Sequence, residues 1–230
     1  MKALGLLFLS CLLWSQDVRV LTHIPPPRTL YDTWVWVVNA SDSAQSFAYS
    51  GFNEAGELLQ SETGQVDAHQ SLRIKSTVWV DDPSLSHCTV SGDVSFFLEY
   101  TSPFSESLAL LVPEDRPTDN FTFVLPQANG QFLGLALANP GDEPVRVSWQ
   151  IRELSGELAP IRSPVGEISI EANGKAKYLF KSDQEEWALG KSVLVLSADH
   201  AVTATLLAGQ PPYQQGAQLM RITPSPGTCP

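Results

Sequence analysis

The sequence predicts an all-β protein made of two tandem antiparallel β-sandwich (Ig-like) domains related by internal duplication. Three observations predict it. Short apolar runs alternate with polar residues at a period of two, the period of a half-buried strand. Turn residues interrupt these runs about every 8–12 residues, as in sandwiches. The grammar of Phe132–Leu158 also repeats that of the first half at a fixed offset of 100 residues: Asn39 aligns with Asn139, Asp42 with Asp142, and Gly56-Glu57-Leu58 with Gly156-Glu157-Leu158. Self-similarity at a fixed spacing sets the domain count, and these identities fall at a corner and a turn, where strand geometry is most demanding.

Taken in order, Val18 to Ile24 reads as a strand closed by Pro25-Pro26-Pro27, since proline cannot donate to a ladder. Trp34 to Val38 is a strand with Val35 and Val37 on one face and Trp34 and Trp36 on the other. Asn39 to Ser43 is a turn of side chains that bond their own backbone. Gln45 to Phe52 is a strand, and Asn53-Glu54-Ala55-Gly56 is a hairpin turn whose glycine supplies positive φ. Leu58 opens a return strand, Gln65 to Ile74 holds a strand and a turn, and Thr77 to Val80 is a short apolar run broken by Asp81-Asp82-Pro83. Val94 to Tyr100 and Leu108 to Val112 complete this half, and Pro113 to Pro117 reads as a linker.

The second half follows the same order. Strand candidates are Phe121 to Leu125, Phe132 to Ala138, Val145 to Ile151, Glu157 to Ile161, Gly166 to Ile170, Lys177 to Phe180, Ser192 to Ser197 and Val202 to Ala208. Only Gln184 to Leu189 suggests a helical turn. The expected organisation is a signal peptide over 1–16, one sandwich over 17–116, a second over 117–210, and a loosely packed tail over 211–230.

The first residues carry export features. Lys2 is followed by an apolar core from Leu4 to Leu13, with Ser15 near a cleavage point. That core is shorter than the roughly 20 residues a membrane span needs. Leu9-Ser10-Cys11 offers a lipid-attachment alternative. Cleavage after Gln16 removes Lys2 and no acid, leaving the chain slightly more acidic than its formal charge of −11. So acidic a chain lacks the basic footprint that nucleic acid requires. Cys88 and Cys229 then remain as an even pair in an oxidising compartment and are expected to form a disulfide, with two free or intermolecular thiols as the alternative. In the chain-entropy model so long a loop contributes roughly 4–5 kcal/mol.

One run carries a resemblance: Leu125-Pro126, then Leu135 to Pro140 ending in Asn139, then Val145 to Ile151, Ser155-Gly156, and Val195-Leu196-Ser197-Ala198-Asp199. It resembles a tandem β-sandwich repeat found in exported bacterial proteins, mostly of uncharacterised function. The resemblance covers about Val18 to Ala208 and implies a secreted, periplasmic or cell-surface setting with no catalytic residues to carry over. The first half departs from it, with Ala40 in place of the proline and Trp34 and Trp36 in place of small residues.

Little in the chain points to bond-making chemistry. The four histidines are scattered, without HExxH or close zinc-ligand spacing. His87 beside Cys88 is the nearest approach to a metal pair. No GxSxG, SxxK or phosphate-cradling glycine loop occurs. Asp81-Asp82 and Asp115 with Asp119-Asn120 lack EF-hand spacing and read as solvated turn acids. No catalytic residue, cofactor or metal site is therefore expected. The expected function is a non-catalytic interaction or structural protein, with a protein or envelope polymer as partner. The alternative is a carbohydrate-binding accessory protein using an exposed Trp34/Trp36 platform, with Trp79 as a third candidate aromatic.

Overall fold

The computed structural model describes residues 18–26, 31–102, 105–125, 132–160, 163–180, 192–209 and 219–225, with side chains described outside 102–109. The signal segment 1–16, the expected turn at 184–189 and Cys229 lie outside the described residues. The fold is all-β, in antiparallel sheets. Among the described residues no helix is long and apolar enough to cross a membrane.

The first half contains β1 (Arg19–Leu21), β2 (Asp32–Val38), β3 (Gln45–Phe52), β4 (Leu58–Val66), β5 (Ser71–Lys75), β6 (His87–Gly92), β7 (Ser95–Ser102) and β8 (Ser105–Pro113). They form two sheets, ordered β1-β6-β3-β4 and β5-β2-β7-β8. Their inward residues build one core around Val35, Val37, Phe47, Phe96 and Leu98. Residues of this size each contribute roughly 1.5–3 kcal/mol when fully removed from water. The second half contains β9 (Thr118–Val124), β10 (Phe132–Ala138), β11 (Val145–Glu153), β12 (Val165–Ile170), β13 (Lys175–Phe180), β14 (Ser192–Gly209) and β15 (Leu219–Ile222). It has a core of its own around Phe123, Leu135, Leu137, Val147, Trp149 and Leu196.

The two halves share a strand order. The start of β14 pairs with β11 and β9, as β6 pairs with β3 and β1. Its end pairs with β10 and β15, as β7 pairs with β2 and β8. A register shift between Ser197 and Val202 carries β14 from one sheet to the other. In the first half the same passage is made by Gly92, at φ +124°, between β6 and β7. The corners match atom for atom. Asn39 Nδ2 donates to the carbonyls of Ser43, Val66 and Asp67, and Asn139 Nδ2 to those of Glu143, Ile170 and Glu171. Each Oδ1 accepts the backbone N–H two residues on, at Ser41 and Gly141. Both asparagines are buried, and each ties off backbone carbonyls that water cannot reach.

The short apolar run Thr77 to Val80 overlaps a single helical turn, α1 (Ser76–Trp79), that seats Trp79 in the core. Three expectations need correction. Of the expected strand Glu157 to Ile161, the described residues 157–160 contribute only a bridge from Leu158 to Arg152. The tail is not wholly loose, because β15 completes a sheet beside β14. Pro113 to Pro117 is no free linker, because Pro113 ends β8 and Asp115 is built into the joint between the halves.

That joint is polar. Asp115 accepts hydroxyl protons from Thr22 and Thr205 and is paired with Arg221. Thr22 also bonds Thr203. Lys175 Nζ, buried, donates to the Ser86 carbonyl at 2.7 Å, and Lys177 pairs with Glu54. The turn at Gly56 presses so closely on the β12–β13 turn that a Cβ there would lie 2.1 Å from the Ala172 oxygen.

Candidate binding surface

The outer face of β5-β2-β7-β8 carries the predicted tryptophans. Alternation along β2 buries Val35 and Val37 completely and leaves Trp34 and Trp36 half-buried on the opposite side. Register then fixes their neighbours: Trp34 lies beside Lys75 and Glu99, and Trp36 beside Arg73 and Phe97. The Arg73 guanidinium stacks 3.8 Å from the Trp34 ring centre and reaches Trp36 at 5.7 Å. Glu99 locks this stack. Its carboxylate accepts Trp36 Nε1–H at 2.6 Å and two bonds from Arg73 at 2.8 and 3.2 Å. Its pKa is lowered chiefly by the Arg73 hydrogen bond, with Trp36 adding to it. Lys75 pairs with Asp32 at 2.8 Å, and Leu111 stands exposed on β8. The result is a braced aromatic and cationic face.

Sequence reasoning named Trp34 and Trp36 and missed Arg73, Glu99 and Phe97. Their signal was the alternation of β5 and β7, readable only once the pairing register is known. Trp79 does not join the face. It is buried, stacked on Phe47 and packed against Tyr49, which places it in the core.

His87 and Cys88 do not form a metal pair, because adjacent strand residues point to opposite faces. His87 Nε2 donates to the Asn173 carbonyl and Nδ1 accepts from Ser86 Oγ, so the ring is a neutral tautomer spanning the joint. Burial, then the Lys175 charge, lowers its pKa to about 3. Burial lowers Lys175 to about 7, with the neighbouring Lys177 charge adding to it. Cys88 is a free thiol on the core side, pushed up to about 12 by burial. Its expected partner, Cys229, lies outside the described residues.

Among the described residues no cluster of three or more metal-ligating acids, histidines or cysteines occurs. Three clefts stand out. The largest, about 590 Å³, is lined by Arg19, Asp93, Glu114 and Arg116 without a histidine. A cleft of about 200 Å³ holds His23 and Lys177 without a carboxylate, and the third holds neither a carboxylate nor a histidine.

No family model matches the chain, and no curated protein matches it. Among solved structures, the cryo-EM structure of Broad Bean Stain Virus aligns with 98% of this chain and 98% of that one, at 10% identity and a TM-score of 0.28. A calcium-binding mutant of Bacteroides uniformis beta-glucuronidase 2 aligns with 90% of this chain and 26% of its own length, at 10% identity and a TM-score of 0.20. Likenesses this slight carry neither fold nor function across.

Proposed function

We propose that this chain is an exported, non-catalytic interaction protein of the bacterial cell surface or periplasm, built by doubling one Ig-like sandwich. Its binding surface is the Trp34/Trp36 face. The carrying observation is the half-buried indole pair, braced by Arg73 and Glu99 and bordered by exposed Leu111. Partly exposed aromatic and arginine side chains held in fixed positions are the anchors from which protein interfaces draw most of their affinity. The matched strand order and corners support the doubling.

A carbohydrate platform is the second reading, favoured by two neighbouring indoles. A sugar stacks on an open ring face, whereas Arg73 already lies over Trp34. A protein partner therefore fits better than a glycan. The test is capture of cell-envelope proteins by the full chain and by a Trp34→Ser/Trp36→Ser variant, alongside fluorescence titration with soluble polysaccharides. Loss of captured protein in the variant, with flat titrations, supports the protein reading. A variant that keeps every partner of the parent sinks the surface assignment.

A further inference from the structure

The joint between the halves is a template with two unused counterparts. On one side, the second half presents the outer face of β13-β10-β14, where Ala136, Thr203, Thr205 and Leu207 are buried beneath the first half. On the other side, the first half presents one end of its sandwich, through Thr22, Glu54 and His87. By register, the face equivalent to the covered one is the Trp34/Trp36 face, with Trp34 at the place of Gly134 and Trp36 at that of Ala136. The end equivalent to the covering one is the far end of the second half. There Gly156, at φ +91°, has nothing within 4 Å of a would-be Cβ, whereas Gly56, at φ +88°, is pressed on the Ala172 oxygen.

The residue exchanges on these two open surfaces are complementary. Three of the first-half residues whose side chains bond across the joint are replaced by apolar ones. Turn position, pairing and register put Leu154 at the place of Glu54, Val193 at that of His87 and Val124 at that of Thr22. Leu154 is 67% exposed and Val124 50%. Val165 and Leu158, also exposed, lie at the same end. The open face has moved the same way, from small residues to indoles. Bulky tryptophans exclude a copy of the tight polar joint and call for an apolar receiver, which the open end supplies. The open face also borders the existing joint, where Arg221 donates to the Pro113 carbonyl at the end of β8.

We propose that the Trp34/Trp36 face of one molecule receives the Leu154/Val124 end of a second copy, head to tail. This rests on the surface assignment above and adds the identity of the partner. A contact between two different patches leaves one of each free, so the assembly extends beyond a dimer or closes into a ring.

Sedimentation velocity of the full chain over a wide concentration range tests it, with Trp34→Ser and Leu154→Glu as variants. Both positions are at the surface, and matched melting curves check folding. The parent is expected to form species larger than dimers as concentration rises. Each variant alone is expected to lose association by more than about tenfold, as anchor residues do. An equimolar mixture of the two is expected to recover dimers and nothing larger, since one intact face meets one intact end. A parent that stays monomeric, or a dimer unaffected by Leu154→Glu, overturns the proposal. If a monomeric parent still loses envelope partners on Trp34→Ser/Trp36→Ser, only the self-assembly inference fails; if those partners are also kept, the surface assignment fails with it.

Discussion

The two halves set the same strand order in different surroundings. Val35 and Val37 in one, and Leu135 and Leu137 in the other, point into separate cores and are equally buried. Their alternate neighbours differ sharply: Trp34 and Trp36 against Gly134 and Ala136. A sandwich interior must be filled to crystal-like density whatever surrounds it, so inward positions stay apolar. The outer face answers only to what covers it. Beneath the first half, small side chains let two backbones approach; on the half-exposed face, indoles stand with Arg73 over them. The ends diverge by the same rule, with Glu54 and His87 bonded across the joint and Leu154 and Val193 in their places elsewhere.

Exchanging residues between the halves breaks this comparison most forcefully. Ala136→Trp, which gives the covered face the residue of the open one, is expected to cost about 3 kcal/mol in denaturant unfolding, because Ala136 is buried and an indole there must fill the adjoining cleft and push on the side chains that line it. Trp36→Ala, the reverse exchange, is expected to cost about 1 kcal/mol, the worth of a partly exposed stacking contact and hydrogen bond. Equal costs would dissolve the distinction between covered and open faces.

The paired glycines sharpen it. Gly156→Ala is expected to lose about 1 kcal/mol, the strain of a side chain at positive φ. Gly56→Ala meets the same strain and also drives a methyl into the Ala172 carbonyl, so about 3 kcal/mol is expected. Matching losses in urea titrations would mean that the turn does not press on the second half.

Acid tests the covered joint in another way. His87 has its folded pKa lowered to about 3 from 6.5, so the folded protein binds fewer protons than the unfolded chain between those values. Its contribution is complete above pH 6.5 and is lost as pH falls toward 3. Between pH 7 and pH 5 the loss is expected to be about 2 kcal/mol. His87→Val, which installs the residue found at Val193, is expected to flatten that part of the stability profile by the same amount. Lys175, lowered to about 7 from 10.5, loses its contribution between those values and adds little below neutrality. A variant as acid-sensitive as the parent would show that the histidine takes up its proton in the folded joint as readily as in the unfolded chain.

Much of the fold was legible in local pattern. The alternation of Trp34–Val38 and Val145–Ile151 assigned strands and faces, and Asn39 with Asn139 marked matching corners whose side chains do tie off buried carbonyls. Other features were not. Thr77-Val78-Trp79-Val80 reads only as a short apolar run of residues that favour strands, yet Ser76–Trp79 forms a turn of helix with Trp79 packed against Phe47 and Tyr49. Asp115 read as a linker acid, because no local signal reveals that Thr22, Thr205 and Arg221 will converge on it across 90 or more positions. At the candidate site the indoles were visible, and the Arg73–Glu99 brace was not.

By itself the sequence determined most of the strands, which of their faces are greasy, and where the chain turns, because these depend on side-chain period and on the conformations of glycine, proline and asparagine within a few residues. Only the tertiary structure decided which greasy or polar surface is covered. Cover depends on register and on the approach of segments far apart in the chain, and no local pattern encodes the distance between them.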